Sequence, residues 1–317
     1  MSESVRAVSP LCLPPAPFSL YDTDAVVEYH AKLEAARELA LRNGLESGLS
    51  FVFDLVIPPA NHLPGARNLP QFPAQSRPIS LRLDQPLQSG PDKLSQVWTA
   101  VGEFPGANGE PQTTVVLKII QPSMCRYPAV DDIWRDNYIF PEDFAVEEEW
   151  AYNHLADKQG LSIPYFFGLH TIITPSTESA WVLVLEYIPG QTLAAYLELP
   201  NKSYSDSCDI LKRSIDTLTD FMAGGWAHGD LEPRNIVVAG SPGARTIVLV
   251  DIYSAIWLQP HQSRLEFPQQ RRILYATIYS FLNDPDGEIQ LWAEHNMDAE
   301  VWDPKRFCSL MATLDSW

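Results

Sequence analysis

Residues 228–238, with the sequence HGDLEPRNIVV, place several chemically active side chains directly before an apolar run. Asp230 offers a carboxylate, and a carboxylate within hydrogen-bond reach of a hydroxyl group can take its proton as a general base. Asn235 precedes the run IVVA, and the turn GSPGA separates that run from TIVLV, after which Asp251 follows. In a hairpin, the residue that enters the first strand lies beside the residue that leaves the second. Asn235 and Asp251 are therefore expected to meet at the open end of a hairpin.

Asn235 and Asp251 would bring two hard oxygen ligands together at that end. Mg²⁺ suits such a site, because it usually takes one or two protein oxygens and leaves its other positions to water and phosphate. Asp230 lies five residues before Asn235 and is expected nearby. The alternative is an ordinary loop rich in Asp and Asn, in which these side chains only stabilise turns.

Lys118 and Glu148 form a second candidate pair. Lys118 lies in the run TTVVLKII, where side chains alternate between two faces that are otherwise apolar. A buried ammonium group without a partner is costly, so Lys118 needs an anion. The helix that follows places Glu148 on its inward stripe, because apolar residues stand at i+3, i+4 and i+7 from it. The alternatives are a lysine that reaches solvent from an edge strand and a solvated acidic helix face, and the latter is expected for Glu147 and Glu149.

A sheet and several helices must position these side chains. Alternating patterns predict strands in ISLRLDQPL, SQVWTAVGE and TTVVLKII, and hence a small antiparallel sheet over 79–120. Helices are predicted for the runs that end at Gly44, Gly160 and Gly224, and SAWVLVLEYIPG is typical of a buried strand. Strands in the first half and mostly helices afterwards indicate the α+β class. Residues 1–19 are expected to be a leader.

The composition limits the classes of function. The chain has 317 residues, 45% of them hydrophobic, and a formal net charge of −18. This charge disfavours nucleic acid and anionic membranes as partners, because both bind basic surfaces. The four cysteines form no CxxC pair, and no stretch approaches the roughly 18 apolar residues that span a bilayer. These features predict a soluble cytoplasmic protein with free thiols, and they leave the nucleus open.

HGDLEPRN resembles the catalytic loop of the protein-kinase-like superfamily, in a His-Gly-Asp form similar to aminoglycoside and choline phosphotransferases and to small, atypical kinase-like proteins. In this resemblance Asp251 of VDIYSA stands at the metal-binding aspartate, Lys118 at the strand lysine and Glu148 at its helix partner. LEYIPGQTL is similar to the hinge between two lobes. That similarity implies that Glu186 and Tyr187 bind adenine through their backbone.

The resemblance implies a two-lobed kinase-like fold. Its expected parts are an N-terminal extension at 1–78, a small antiparallel-sheet N-lobe at 79–187 and a truncated, mainly helical C-lobe at 188–317. Three helices are expected after Asp251, which are too few for the full peptide-binding platform of a protein kinase.

The resemblance also implies ATP and Mg²⁺ as cofactors. Lys118, held by Glu148, would bind phosphate groups; Asn235 and Asp251 would hold Mg²⁺; Asp230, together with Asn235, would be catalytic. The implied function is transfer of the γ-phosphate to a hydroxyl acceptor on a small molecule or a protein. The alternative is a pseudokinase that acts as a nucleotide-binding or protein-interaction module. In a third interpretation, residues 1–78 dock a partner protein.

The chain departs from the family pattern at several positions. Gly90 is the only glycine in the predicted phosphate-covering loop DQPLQSGPDKLSQVWTA. Glu232 stands where protein kinases place a lysine, Gly229 replaces the usual arginine, and Asp251 is followed by Ile and Tyr rather than Phe and Gly. An activation loop switched by phosphorylation is not expected, because no arginine beside Asp230 is available to bind the phosphate.

Overall fold

The computed structural model describes residues 22–72, 78–103, 113–127, 138–200 and 202–257. The predicted leader and the three helices predicted after Asp251 lie outside these ranges. After Asp251, only residues 252–257 are described. The described chain forms two compact units. The first contains the described residues up to 156 together with 165–187, and the second contains 157–164 and the described residues from 188 onward.

Six strands organise the first unit: β1 (Ser50–Phe53), β2 (Ile79–Gln88), β3 (Gln96–Glu103), β4 (Thr114–Ile120), β5 (Phe166–Ile173) and β6 (Ser179–Glu186). They form one sheet in the order β1-β2-β3-β4-β6-β5, and every neighbouring pair is antiparallel. Strand β4, which carries Lys118, is therefore an interior strand with partners on both sides. The alternative of an edge-strand lysine is wrong.

One face of this sheet is covered by residues before and after β1. The strands contribute aliphatic and aromatic side chains to a common core, which includes Leu117 of β4. Leu69 and Phe72 pack against the same core, and the ring of Phe72 meets the ring of Phe167 edge-on at 5.0 Å between centroids. The proline-rich segment, whose role the sequence pattern did not indicate, thus covers the sheet.

Two helices complete the first unit: α1 (Thr23–Arg42) and α2 (Pro141–His154). Helix α1 begins at Asp22, whose side chain accepts a hydrogen bond from the backbone N of Ala25 and so satisfies one unpaired donor of the first turn. Helix α2 begins with Pro141, which lacks the N–H that a first turn leaves unpaired. It packs against β5 and β6, where the ring of Tyr152 stacks on that of Phe166.

The second unit has short strands and helices: β7 (Gly190–Thr192), α3 (Leu193–Leu197), α4 (Tyr204–Ala223), β8 (Trp226–Ala227), β9 (Ile236–Ala239), β10 (Thr246–Leu249) and β11 (Ile256–Trp257). Strands β10, β9 and β7 form one small sheet, and β11 pairs with β8. Helix α4 buries a stripe that includes Leu211, Ile215 and Leu218, as its helical spacing predicts. Asp230 and Asn235 lie in the loop before the hairpin β9–β10, and Asp251 follows it.

The α+β class is confirmed, since both helices and mainly antiparallel strands are present. The antiparallel sheet predicted over 79–120 is also confirmed, as β2, β3 and β4. The two units divide the chain differently from the predicted parts at two places. The described residues of 1–78 are grouped with the sheet, and residues 157–164 are grouped with the second unit. No helix within the described ranges is long and apolar enough to cross a membrane.

Phe53 and Val52 of β1 provide a test of whether the segment before residue 79 is part of the folded core. Phe53 is 2% exposed and joins the sheet core, whereas Val52 is 64% exposed. We expect Phe53→Ala to lower the free energy of unfolding by about 3–5 kcal/mol. Val52→Ala should change it by no more than about 0.5 kcal/mol. Urea denaturation of both variants measures the difference, and equal effects would contradict the packing of β1.

Candidate functional site

Lys118 and Glu148 form a buried ion pair in the first unit. Nζ of Lys118 lies 2.5 Å from Oε2 of Glu148, and the two residues are 5% and 0% exposed. The inward register predicted for Glu148 is therefore correct, while its neighbour Glu147 is exposed as expected. The predicted pairing of a lysine and a glutamate from successive elements is confirmed as geometry.

The surroundings of Lys118 explain why it occupies this position. Val115, Leu117 and Ile119 of β4 enter the sheet core, so the alternation of the strand directs Lys118 to the opposite face. Nζ of Lys118 also lies 5.0 Å from the centroid of the Phe144 ring on α2. The negative face of an aromatic ring favours a nearby cation. The ammonium group is thus held by both a carboxylate and a ring of one helix.

The side chain of Glu186, at the end of β6, forms an ion pair with Arg67, a residue that the sequence pattern did not indicate. Nε and one terminal nitrogen of Arg67 donate to its two carboxylate oxygens, each at 2.9 Å. The backbone N of Tyr165 donates to Oε2 of Glu186 at 3.0 Å. These contacts occupy the side chain of Glu186, and the expectation that Glu186 and Tyr187 bind a nucleotide through their backbone stays a prediction.

In the second unit, the loop that connects β8 and β9 brings Asp230 and Asn235 together. Nδ2 of Asn235 donates to the backbone oxygen of Asp230 at 2.8 Å and lies 3.4 Å from Oδ2 of the same residue. This use of Nδ2 as the donor leaves Oδ1 of Asn235 as the atom that can ligate a cation. Glu232, which departs from the family pattern, is partly exposed and pairs with Arg234 at 3.0 Å.

The hairpin β9–β10 places Asn235 and Asp251 at its open end. Ile236 pairs with Leu249, and the backbone N of Val250 donates to the oxygen of Asn235 at 2.9 Å. Asp251 follows directly, in a left-handed backbone conformation with φ 64° and ψ 53°. Such a conformation costs a non-glycine residue free energy and persists only where the surrounding structure imposes it. The predicted hairpin register is correct, and the strained aspartate is a feature that the sequence did not reveal.

His228 anchors the loop to strand β10. Its Nε2 lies 3.0 Å from the backbone oxygen of Val250, so this nitrogen carries the proton and donates it. Burial of the ring lowers the pKa of His228, although the hydrogen bond to Val250 and the carboxylates of Asp251 and Asp230 act in the opposite direction. The histidine is therefore neutral, in keeping with its predicted role as a structural brace.

Gly229 is required by a close approach of two backbone segments. Its φ is +76°, and a Cβ added there would lie 2.1 Å from the backbone oxygen of Ser254. The hydroxyl of Ser254 also donates to the backbone oxygen of His228 at 3.0 Å. Packing against the turn that follows Asp251 thus explains a glycine at position 229.

The loop between β2 and β3, which the resemblance assigns to phosphate binding, is closed by a side chain. The amide of Gln96 accepts from the backbone N of Gly90 and donates to its backbone oxygen, both at 2.8 Å. Asp92, also in this loop, accepts from Arg37 of α1 at 2.9 Å. A buried glutamine therefore fixes a loop that contains one glycine.

A scan against family models finds no match for this chain, and a search of curated proteins also finds none. Within the described ranges, no group of three or more His, Cys, Asp or Glu side chains is arranged to hold a metal ion. A cation bound by Asn235 and Asp251 would need its remaining ligands from water or from a bound phosphate group.

The neutral state of buried His228 predicts a dependence of stability on pH. Its pKa is lowered in the folded protein, so the unfolded state, with an ordinary pKa of about 6.5, binds the proton more readily. Stability from the neutral ring is fully present above about pH 6.5 and falls below it, by at most about 1.4 kcal/mol per pH unit. His228→Gln keeps an N–H donor without titrating. Urea denaturation between pH 7.5 and 5.5 should therefore show a smaller slope in this variant, and an unchanged slope would contradict the assignment.

Gly229 and Gly243 allow backbone strain to be separated from steric clash. Both have left-handed φ values, +76° and +80°, but a Cβ at Gly243 would meet nothing within 4 Å. Gly243→Ala should cost about 1 kcal/mol of stability from backbone strain alone. Gly229→Ala should cost a further 1–3 kcal/mol or so, because the oxygen it meets belongs to the backbone and cannot rotate away. Chemical denaturation distinguishes the two, and equal losses would show that the close approach is absent.

Proposed function

We propose that this chain is an ATP- and Mg²⁺-dependent phosphotransferase with a two-lobed, protein-kinase-like fold. The observation that supports this best is the buried ion pair of Lys118 and Glu148 on an interior strand. Replacing a buried ion pair by apolar residues is often neutral or stabilising, so stability alone gives no reason for one. A binding site for an anionic ligand does need an ammonium group in a fixed place, and this would explain the buried pair.

The arrangement of elements supports the proposal independently of that pair. The elements follow one another in the order of the resembled family. A strand carries the lysine, the next helix carries the glutamate, and a buried strand then leads out of the first unit. A loop and a hairpin with Asp230, Asn235 and Asp251 come last. The left-handed backbone at Asp251 supports it too, because strained residues cluster at binding and catalytic sites.

The residues present fit a nucleotide and a divalent cation. Lys118, oriented by Glu148, would neutralise charge on the phosphate groups. Oδ1 of Asn235 and the carboxylate of Asp251 would ligate Mg²⁺, which when bound would stabilise charge on the transferring group. Asp230 would accept a hydrogen bond from the acceptor hydroxyl, orient it and receive its proton. The acceptor proposed is a hydroxyl group of a small molecule or a protein.

The proposed compartment is the cytoplasm. Cys125 and Cys208 are buried free thiols, as expected of a protein in a reducing environment. Burial raises the pKa of Cys125 to about 12, which makes it unreactive.

One observation favours a pseudokinase as the second candidate. Gln96 already occupies both backbone hydrogen-bonding groups of Gly90, so the loop between β2 and β3 is less free to approach phosphate than a glycine-rich loop. In this alternative the chain binds nucleotide, or a protein partner through residues 1–78, without transferring phosphate.

Asp230→Asn tests the catalytic proposal. With γ-labelled ATP, Mg²⁺ and water as the acceptor, we expect the variant to release labelled phosphate on the order of 10²–10⁴ times more slowly than the unaltered chain. Nucleotide binding should persist, because Asp230 is proposed to act on the acceptor. Asp220→Asn, at an exposed carboxylate on α4, is the matched control and should leave the rate unchanged.

Thermal shifts with ATP, with and without Mg²⁺, separate the two candidates. Under the proposal, ATP raises the melting temperature by mass action, and the Mg²⁺-dependent part of the rise is lost in Asp251→Asn. A rise in melting temperature together with equal phosphate release by the unaltered chain and Asp230→Asn would favour the pseudokinase. If ATP does not change the melting temperature, both nucleotide-binding candidates are contradicted.

A further inference from the structure

Residues 57–72 make a set of polar contacts that the proposed site does not use. Tyr165 is the centre of this set: its hydroxyl donates to the backbone oxygen of Arg67 and accepts from the backbone N of Asn61, both at 3.1 Å. The side chain of Asn61 in turn accepts from the backbone N of Leu63 at 3.1 Å. These bonds fix the path of a proline-rich segment, and they deliver Arg67 to one place on the sheet.

That place is the end of β6. The guanidinium of Arg67 binds both carboxylate oxygens of Glu186, and the two side chains are only 15% and 6% exposed. Planar, two-pronged pairing of this kind restricts both partners in orientation as well as distance. The backbone of Glu186 is fixed as well, because its N–H donates to the backbone oxygen of Tyr165 at 2.9 Å. Arg67 and Tyr165 together hold the last residue of the strand.

Glu186 lies one residue before the chain leaves the first unit. The first unit ends at Tyr187, and the second unit resumes at Ile188. Strand β7 begins at Gly190, so the connecting segment 187–189 is short, and Pro189 gives it one residue with a fixed φ. The direction in which this segment starts is therefore set by the end of β6. A residue that fixes Glu186 fixes the start of the connection.

We propose that Arg67 is a positioning residue that orients the start of the connecting segment 187–189 for an adenine base through its ion pair with Glu186. This inference rests on the proposed function for the identity of the ligand. Arg67 itself does not touch the ligand. It aligns the backbone groups that contact the ligand. The described part of the segment 1–78 thus has a role in positioning the binding site.

The first experiment measures amide hydrogen exchange in the absence of nucleotide. Arg67→Gln should speed exchange at the amides of Tyr187 and Ile188 by about tenfold or more. Arg37→Gln is the matched control, because Arg37 is a similarly enclosed arginine of the same unit that pairs with Asp92 instead. It should leave the exchange of these two amides unchanged. Equal exchange at these amides in Arg67→Gln and the unaltered chain would overturn the inference.

The second experiment compares ATP with inorganic tripolyphosphate, which lacks the base. Arg67→Gln should weaken ATP about 10–100-fold and leave the tripolyphosphate dissociation constant unchanged. Arg67→Lys keeps the charge but not the paired geometry, so its affinity for ATP should be intermediate. Equal weakening of both ligands would show general destabilisation and would overturn a role specific to the base.

A third variant distinguishes the positioning role of Arg67 from the loss of stability caused by a buried carboxylate without its arginine. In the double variant Arg67→Gln, Glu186→Gln no carboxylate is left buried without its arginine, so melting temperature should recover relative to Arg67→Gln. Fast exchange at Tyr187 and Ile188 should persist, because the two-pronged contact is still absent. If the unaltered chain binds neither ATP nor tripolyphosphate, the proposed function fails. The exchange measurement still decides whether Arg67 orders the connection.

Discussion

The pairing of Lys118 with Glu148 is the interaction on which the first unit and the proposed chemistry both depend. Each charge is buried, and a buried charge without its partner would cost several kcal/mol. The lysine faces away from the sheet core because side chains alternate along β4 and residues such as Leu117 fill the other face. Helix α2 must then dock with Glu148 inward. Fold and charge placement are therefore coupled: α2 cannot rotate about its axis without stranding two charges.

The second unit uses a different physical device, a set of backbone constraints rather than an ion pair. Gly229 permits the loop to touch the turn at Ser254, and His228 ties the same loop to the end of β10. Asp251, between these contacts, adopts the left-handed conformation. The hydrogen bonds and close packing on both sides of it offset the strain of this backbone conformation.

Local spacing was sufficient to predict much of this arrangement, because periodicity is a short-range property. The inward register of Glu148 follows from apolar neighbours within two helical turns, and the placement of Asn235 and Asp251 at one end of the hairpin follows from the short connection between β9 and β10. Arg67 could not be found in this way. It contacts Glu186 across 119 residues, from a segment with no regular spacing and many prolines. The backbone angles of Asp251 were equally hidden, since they arise from contacts on both sides of the residue rather than from its type.

The loop between β2 and β3 contains one glycine, and a helix before residue 79 contacts it. Both features restrict the movement of this loop. A glycine-rich loop is mobile and loses conformational entropy when it closes on a ligand. Here Gln96 closes the loop through Gly90, and Arg37 holds it through Asp92, before any ligand arrives. Arg37 also donates to the backbone oxygens of Ser123 and Cys125 just after β4, so α1 links the loop to the strand that carries Lys118. Such a loop gives up adaptability and avoids the entropic cost of ordering. In the proposed function, it would favour a ligand whose shape matches the loop as it stands, and it would discriminate against ligands that need the loop to move.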